Sequence, residues 1–208
     1  MRALGSCPGP FSFRGYTMKR TDTRRARQCL RKAYAVGCEH REWYQEAFGF
    51  LSTLVPANHA GVFVGFVAAT SANCSVRSNL TLARKAYNQW SHGEPFTGYL
   101  SGVTENLRRT VRGEPLQGAK LEPFRQAIMG DPQAVAVDRW VIRAAGYPGA
   151  TPKRMRHVDG DIRVLARREG ITPAEYQAAV WAGAIMEAGG EPDNYDAGQP
   201  GAIMEALL

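Results

Sequence analysis

The sequence predicts an all-α protein, a bundle of about eight to ten helices, on three observations. Apolar residues recur at helical spacing along most of the chain from Asp22 onward, cap signals mark several helix starts, and glycines stand where the helical patterns stop. With 208 residues, 44% of them hydrophobic, the chain can bury one substantial core, either as one compact domain or as two intimately packed lobes.

The elements follow in order. Gly5, Pro8, Gly9, Pro10 and Gly15 interrupt residues 1–21, which read as a flexible basic arm. Helical patterns then run over Asp22–Val36, Arg41–Leu54, Ala60–Ala69, and Val76–Trp90, the last with Leu80, Leu82, Ala83, Ala86 and Tyr87 on its inner face. Gly61 to Val67 is the one rival strand; lacking polar alternation and a strand partner, it reads better as a fully buried central helix. Further helices are expected at Pro95–Val111, Lys120–Met129, Pro132–Ala145, Asp161–Arg168 and Pro173–Ala188. Asp131-Pro132 supplies an N-cap acceptor followed by a proline at the first helical position, and Thr172-Pro173-Ala174-Glu175 adds a glutamate placed to close a capping box. Gly130, Gly146, Gly170 and Gly189 mark helix ends. The helical domain therefore spans 22–190, and 191–208 reads as a tail.

Lys and Arg outnumber Asp and Glu by 26 to 19, and the excess is concentrated between Arg14 and Arg41. Such a bias suits a polyanionic partner, or else a solvated helix face that keeps the protein soluble. No apolar run approaches the roughly 18 residues of a membrane span, and no signal-peptide core precedes a cleavage site, so no membrane partner and a cytoplasmic location are expected. Cys7, Cys29, Cys38 and Cys74 lack C-x-x-C spacing and read as reduced, mostly buried thiols. His40, His92 and His157 are isolated, and Asp159-Gly160-Asp161 reads as a loop and helix cap, so neither a metal nor a cofactor is expected.

Two segments carry candidate chemistry. In P-L-Q-G-A-K, Gly118 and Ala119 lead into a new helix whose amides can face a phosphate, and Lys120 follows at once. An ordinary helix connection would have the same pattern. Asp138 lies in the apolar run A-V-A-V-D-R-W-V-I-R, where a carboxylate serves as a cap, as an ion-pair partner of Arg139 or Arg143, or as a reacting group that activates a nucleophile or stabilises a cationic transition state. Arg77, Arg84 and Lys85, and separately Arg108, Arg109 and Arg112, are spaced to follow phosphates or to remain in solvent. Trp43, Tyr44, Trp90, Trp140 and Trp181 are candidates either for the core or for stacking on a base.

These segments resemble the helix-hairpin-helix DNA glycosylase superfamily, especially its endonuclease III-like branch, with its L-P-G-h-G-x-K-T-A motif followed by V-D-T-H-h-x-R. Lys120 precedes Asp138 by 18 positions, and the same ungapped overlay aligns Val137 and Arg143. Upstream, V-A-A-T-S-A-N from Val67 to Asn73 is similar to the family's L-S-A-Q-x-T-D segment. The resemblance covers roughly Trp43 to Arg143, and Tyr176 to Trp181 is similar to the closing helix of small phage-associated glycosylase-like proteins. Leu116 replaces the first hairpin glycine, Leu121-Glu122 replaces Thr-Ala, Thr70 stands at the wedge position, Arg139-Trp140 replaces Thr-His, and the iron–sulfur loop is missing.

The resemblance implies a helix-hairpin-helix glycosylase-like bundle that acts on duplex DNA by turning a nucleotide out of the stack; a monomer is expected by default. Asp138 would stabilise positive charge at the deoxyribose. Lys120 would either attack C1′ to form a Schiff base or contact a phosphate. Thr70, Ser71, Asn73, Arg77, Gly118, Ala119, Arg139 and Arg143 would approach the DNA. The altered hairpin keeps two alternatives open: a phage-type transferase that hypermodifies a base on the same fold, and a DNA-binding module without catalysis.

Overall fold

The computed structural model describes residues 20–195 of the chain, and these contain nine α-helices and no strand. They are α1 (Arg20–Gly37), α2 (Trp43–Thr53), α3 (Ala60–Thr70), α4 (Val76–Ser91), α5 (Ser101–Val111), α6 (Leu121–Ile128), α7 (Arg139–Ala144), α8 (Pro152–Glu169) and α9 (Pro173–Glu187). The all-α expectation holds. No described helix is long and apolar enough to cross a membrane. The predicted arm at 1–21 lies outside the described residues except for its last two backbone positions, as does the tail beyond Tyr195.

The described chain divides into two compact units, each assembled from separated segments: residues 20–41 with 137–192, and residues 42–136 with 193–195. In the first, α1 packs most extensively on α9, and α7 and α8 complete the bundle. The apolar face of α1 (Ala26, Cys29, Leu30, Ala33) is buried, while Arg24, Arg25, Arg31 and Lys32 remain exposed. The α1 and α9 backbones meet at Gly37 and Gly183: a Cβ on Gly183 would strike the Ala33 carbonyl oxygen, and one on Gly37 the Ala179 carbonyl oxygen. Arg27 Nε donates to the buried Asp161 carboxylate at 2.6 Å, which ties α1 to α8.

In the second unit α3 is the centre. From Phe63 to Thr70 every residue is buried, as expected of a helix apolar on all sides, and α2, α4, α5 and α6 pack around it. Gly65 lets α5 approach, since a Cβ there would meet Thr110 Cγ2. Residues 193–195 return to this unit. Trp43 Nε1 donates to the Asp193 carbonyl at 3.1 Å, and the Tyr195 hydroxyl donates to Asn79 Oδ1 at 2.6 Å.

Several predicted boundaries are corrected. The Pro132–Ala145 helix shrinks to α7: Asp131 caps only a turn, its carboxylate accepting from Gln133 N at 2.8 Å, and Ala134 to Val137 then run outside any helix with four consecutive side chains buried. Helix α5 starts at Ser101 rather than Pro95, because Gly98 takes φ +79° and Gln89 Nε2 holds the Thr97 hydroxyl at 2.9 Å. Helix α8 starts at Pro152 rather than Asp161, with the Thr151 hydroxyl accepting from Arg154 N. Asp159-Gly160-Asp161 is accordingly interior to α8, where Asp159 pairs with Arg163 and Asp161 with Arg27. The capping box at Thr172 and Glu175 is present, and Gly130, Gly146, Gly170 and Gly189 all have positive φ. Among the described cysteines all three are free thiols, but only Cys29 is fully buried.

The tyrosines set an alkaline limit on stability. Burial pushes the Tyr99 phenol up to about 12 and the Tyr195 phenol well above its ordinary value. Tyr34 and Tyr176, stacked with ring centroids 4.5 Å apart, are raised as well, first by burial and then by the Glu169 carboxylate. A phenol that loses its proton near pH ~10 in the unfolded chain but later in the folded one favours folding below that pH, and this contribution disappears as pH rises through the folded value. The urea midpoint should therefore hold up to pH ~9 and fall steeply between ~10 and ~12. Among the described residues the buried Tyr176 hydroxyl has no hydrogen-bond partner. Tyr176→Phe should therefore match or exceed wild-type stability at neutral pH and soften the alkaline fall; a Tyr176→Phe protein clearly less stable at pH 7 would contradict this account.

Candidate functional site

The hairpin predicted around Gly118 is a clamped turn between α5 and α6. Asn106, buried on α5, bonds the Gln117 backbone twice: its Nδ2 donates to the carbonyl at 3.1 Å and its Oδ1 accepts from the amide at 2.7 Å. Arg109 Nε donates to the Pro115 carbonyl at 2.6 Å, and Glu122 Oε2 accepts from Leu116 N at 2.7 Å. Leu116 is buried, so the leucine in place of a first hairpin glycine anchors the turn in the core, and Glu122 serves the amide beside it. Gly118 takes φ +127°, a conformation that favours glycine, and Gly118 and Ala119 are exposed at the tip. Sequence reasoning missed Asn106 and Glu122. The signal was weak: a buried Asn one helix before a glycine turn, and a carboxylate six residues after the amide it serves.

Lys120 follows the tip and turns back onto α3. Its Nζ donates to the Ser71 carbonyl at 3.3 Å and lies 5.1 Å from the Phe124 ring centroid. The two predicted segments, V-A-A-T-S-A-N and G-A-K, therefore meet here, within one unit. Beside them the Cys74 thiol donates to the Thr70 carbonyl at 3.3 Å; burial raises its pKa, and the Lys120 charge partly opposes this. Thr70 is buried, its hydroxyl donating to the Phe66 carbonyl at 2.8 Å and accepting from Asn79 Nδ2 at 2.8 Å, so it shapes the α3 end from inside. The Ser71 side chain is also buried, donating to the Ala68 carbonyl. Asn73, at φ +57°, and Arg77 are the exposed members of this group.

Asp138 belongs to the other unit and caps α7. Its Oδ1 accepts from Trp140 N at 2.8 Å and from Val141 N at 3.0 Å. This cap accounts for a carboxylate in an apolar run and fixes the side chain's direction. Arg139 and Arg143 are exposed and flank the half-exposed Trp140 ring, with guanidinium carbons 6.0 and 5.2 Å from its centroid. A planar ring framed by two cations can receive a base or its phosphate.

The other candidates divide. Arg108, Arg109 and Arg112 are drawn into ion pairs with Glu105 and Glu114, the closest being Arg112 to Glu114 at 2.7 Å. Arg84 and Lys85 line a hollow of about 590 Å³ with Thr81, His92 and Glu94. Trp43 and Tyr44 are core residues packed against Phe124, with Tyr195 also against the Trp43 ring, and Trp90 packs against His59, Phe66 and Tyr87. Trp140 is half-exposed and carries the Arg139 and Arg143 guanidinium groups beside its ring.

Fold and candidate residues define an all-α protein of two helical units, one of which presents a lysine from a clamped hairpin. The family described as "Family of unknown function (DUF7178)" matches residues 23–188, and the chain belongs to that family. No curated protein and no solved structure matches it.

Proposed function

We propose that the protein is a DNA-base enzyme of helix-hairpin-helix glycosylase type, which turns a nucleotide out of the duplex and excises its base. The observation that carries this reading is the bond from Lys120 Nζ to the Ser71 carbonyl at 3.3 Å, because it joins two segments that resemble one family and lie far apart in sequence. The exposed hairpin tip at Gly118 and Ala119 supplies backbone donors for a phosphate. Asp138, oriented by its cap, stabilises positive charge on the sugar.

A second activity, hypermodification of a base with the glycosidic bond kept intact, needs no lysine nucleophile, and neither does excision without a covalent adduct; the setting of Lys120 suits both. Donation to a carbonyl and placement over an aromatic ring are interactions of an ammonium, which suit a charge that holds a phosphate better than a neutral nucleophile. The two activities separate in one experiment: incubation of the full chain with duplexes bearing a panel of modified bases, borohydride trapping, and mass analysis of both base and strand. Excision predicts free base. A trapped adduct abolished by Lys120→Ala would make Lys120 the nucleophile. Base release without an adduct, with Lys120→Ala lowering the salt slope of binding by about 1, would make it a phosphate contact. No release from any duplex, with salt-sensitive binding retained, would sink the excision reading in favour of base modification or plain binding.

A further inference from the structure

On the first unit, Arg24, Arg27 and Arg31 of α1 meet Arg168 of α8 around a hollow of about 420 Å³ that Thr23 also lines. The α1 arginines are three and four residues apart, so they share one face of the helix. One of the four has an internal purpose: Arg27 neutralises the buried Asp161, which His157 Nε2 also approaches at 3.4 Å. Among the described residues no carboxylate lies within ion-pair distance of Arg24, Arg31 or Arg168. Arg168, in the last turn of α8, has a local reason in the helix dipole, whereas Arg24 lies in the amino-terminal half of α1, where the dipole does not favour cations. Three guanidinium groups without an ion-pair partner around one concavity repel one another. They present forked donors suited to phosphate oxygens.

We propose that the hollow formed by Arg24, Arg27, Arg31 and Arg168 is a phosphate site that takes a phosphodiester of the DNA strand. Arg27, held by Asp161, is its rigid member, and the other three close on the anion. The inference rests on DNA as the substrate, and its test separates the two.

Affinity for a labelled duplex is measured from about 50 to 200 mM salt for wild type, for the Arg24→Ala/Arg31→Ala/Arg168→Ala protein, and for the corresponding triple lysine protein. Each phosphate contact adds about 0.9 to the slope of log affinity against log salt, so the alanine protein should lose up to about 2.7 of slope while the lysine protein keeps it. Should the alanine protein fail a thermal melt, single Arg→Gln proteins replace it, each expected to lose about 0.9. An unchanged slope overturns the proposal, as does an equal loss in the alanine and lysine proteins, which would indicate packing rather than charge. A parallel titration with tripolyphosphate, read by thermal shift, identifies a free anion. Its loss in the alanine protein with an unchanged DNA slope would reassign the hollow to a small phosphate compound and overturn the DNA assignment. Absence of base release from any duplex, with the slope difference intact, would remove the excision reading and leave the hollow standing; a wild type that binds no duplex would remove both.

Discussion

If the proposed function holds, the Asp138→Asn protein is expected to melt at the wild-type temperature and to turn over DNA about 10²- to 10³-fold more slowly, the usual cost of removing a group that stabilises transition-state charge. The two halves of this expectation have different origins. Asp138 caps α7 through one oxygen that accepts from Trp140 N and Val141 N, and an asparagine oxygen accepts from the same amides. What asparagine removes is the charge. Asp138→Ala removes cap and charge together, so it should also lower stability by about 1 kcal/mol. Comparing melting temperatures and single-turnover rates of the three proteins assigns the residue. An Asn protein as active as wild type would make Asp138 a cap alone and leave the proposed chemistry without its carboxylate. An Asn protein that binds DNA better than a wild type with no turnover would identify a binding module.

Gly183→Ala should cost the first unit about 2–3 kcal/mol, which for a chain of this size lowers the melting temperature by several degrees. Ala has the better helix propensity by about 1 kcal/mol, so substitution of an interior helical glycine normally stabilises. Here the added methyl would fall on the Ala33 carbonyl, a backbone atom that cannot turn aside, and the opposing position on α1 is itself glycine. The α1 and α9 helices would have to separate along the most extensive contact in that unit. Gly160→Ala is the internal control. It lies in α8 with nothing within 4 Å of a built Cβ, and should raise stability by about 0.5–1 kcal/mol. If both substitutions stabilise, the α1–α9 approach is looser than described; if both destabilise, the effect does not come from the contact.

The legible parts of this fold were those whose signals are local. Thr172 and Glu175 close their capping box between neighbours, and the all-apolar face of α3 has only one place to go. Misreadings arose where a local signal competed with burial. Asp131-Pro132 resembles a helix start, yet Asp131 caps only a turn, and the following Ala134, Val135, Ala136 and Val137 are buried outside any helix. The start of α8 was missed although Thr151-Pro152 carries the same cap-and-proline signal as Thr172-Pro173, because Lys153, Arg154, Arg156 and His157 leave Met155 as the lone apolar residue of its first turns. At the candidate site, the exposed Gly118 tip and the lysine behind it were readable from spacing. The burial of Thr70 was not, because it depends on Asn79 of α4, a partner that sequence order does not reveal. The arginine hollow was visible only as a basic stretch, since Arg168 joins it from α8, far along the chain.

The placement of α9 and Tyr195 has a consequence for biosynthesis. Helix α1 leaves the ribosome long before α9, which begins at Pro173 and makes the most extensive contact with it. At ~5–20 residues per second that delay is on the order of 10 s, far longer than a lone helix of this length keeps its shape. In the second unit two bonds wait longer, since Trp43 and Asn79 gain their Asp193 and Tyr195 partners only when those residues emerge. Both halves are therefore finished by the same late stretch of chain: a polypeptide released before it lacks the α9 side of the first unit and the Asp193 and Tyr195 bonds of the second.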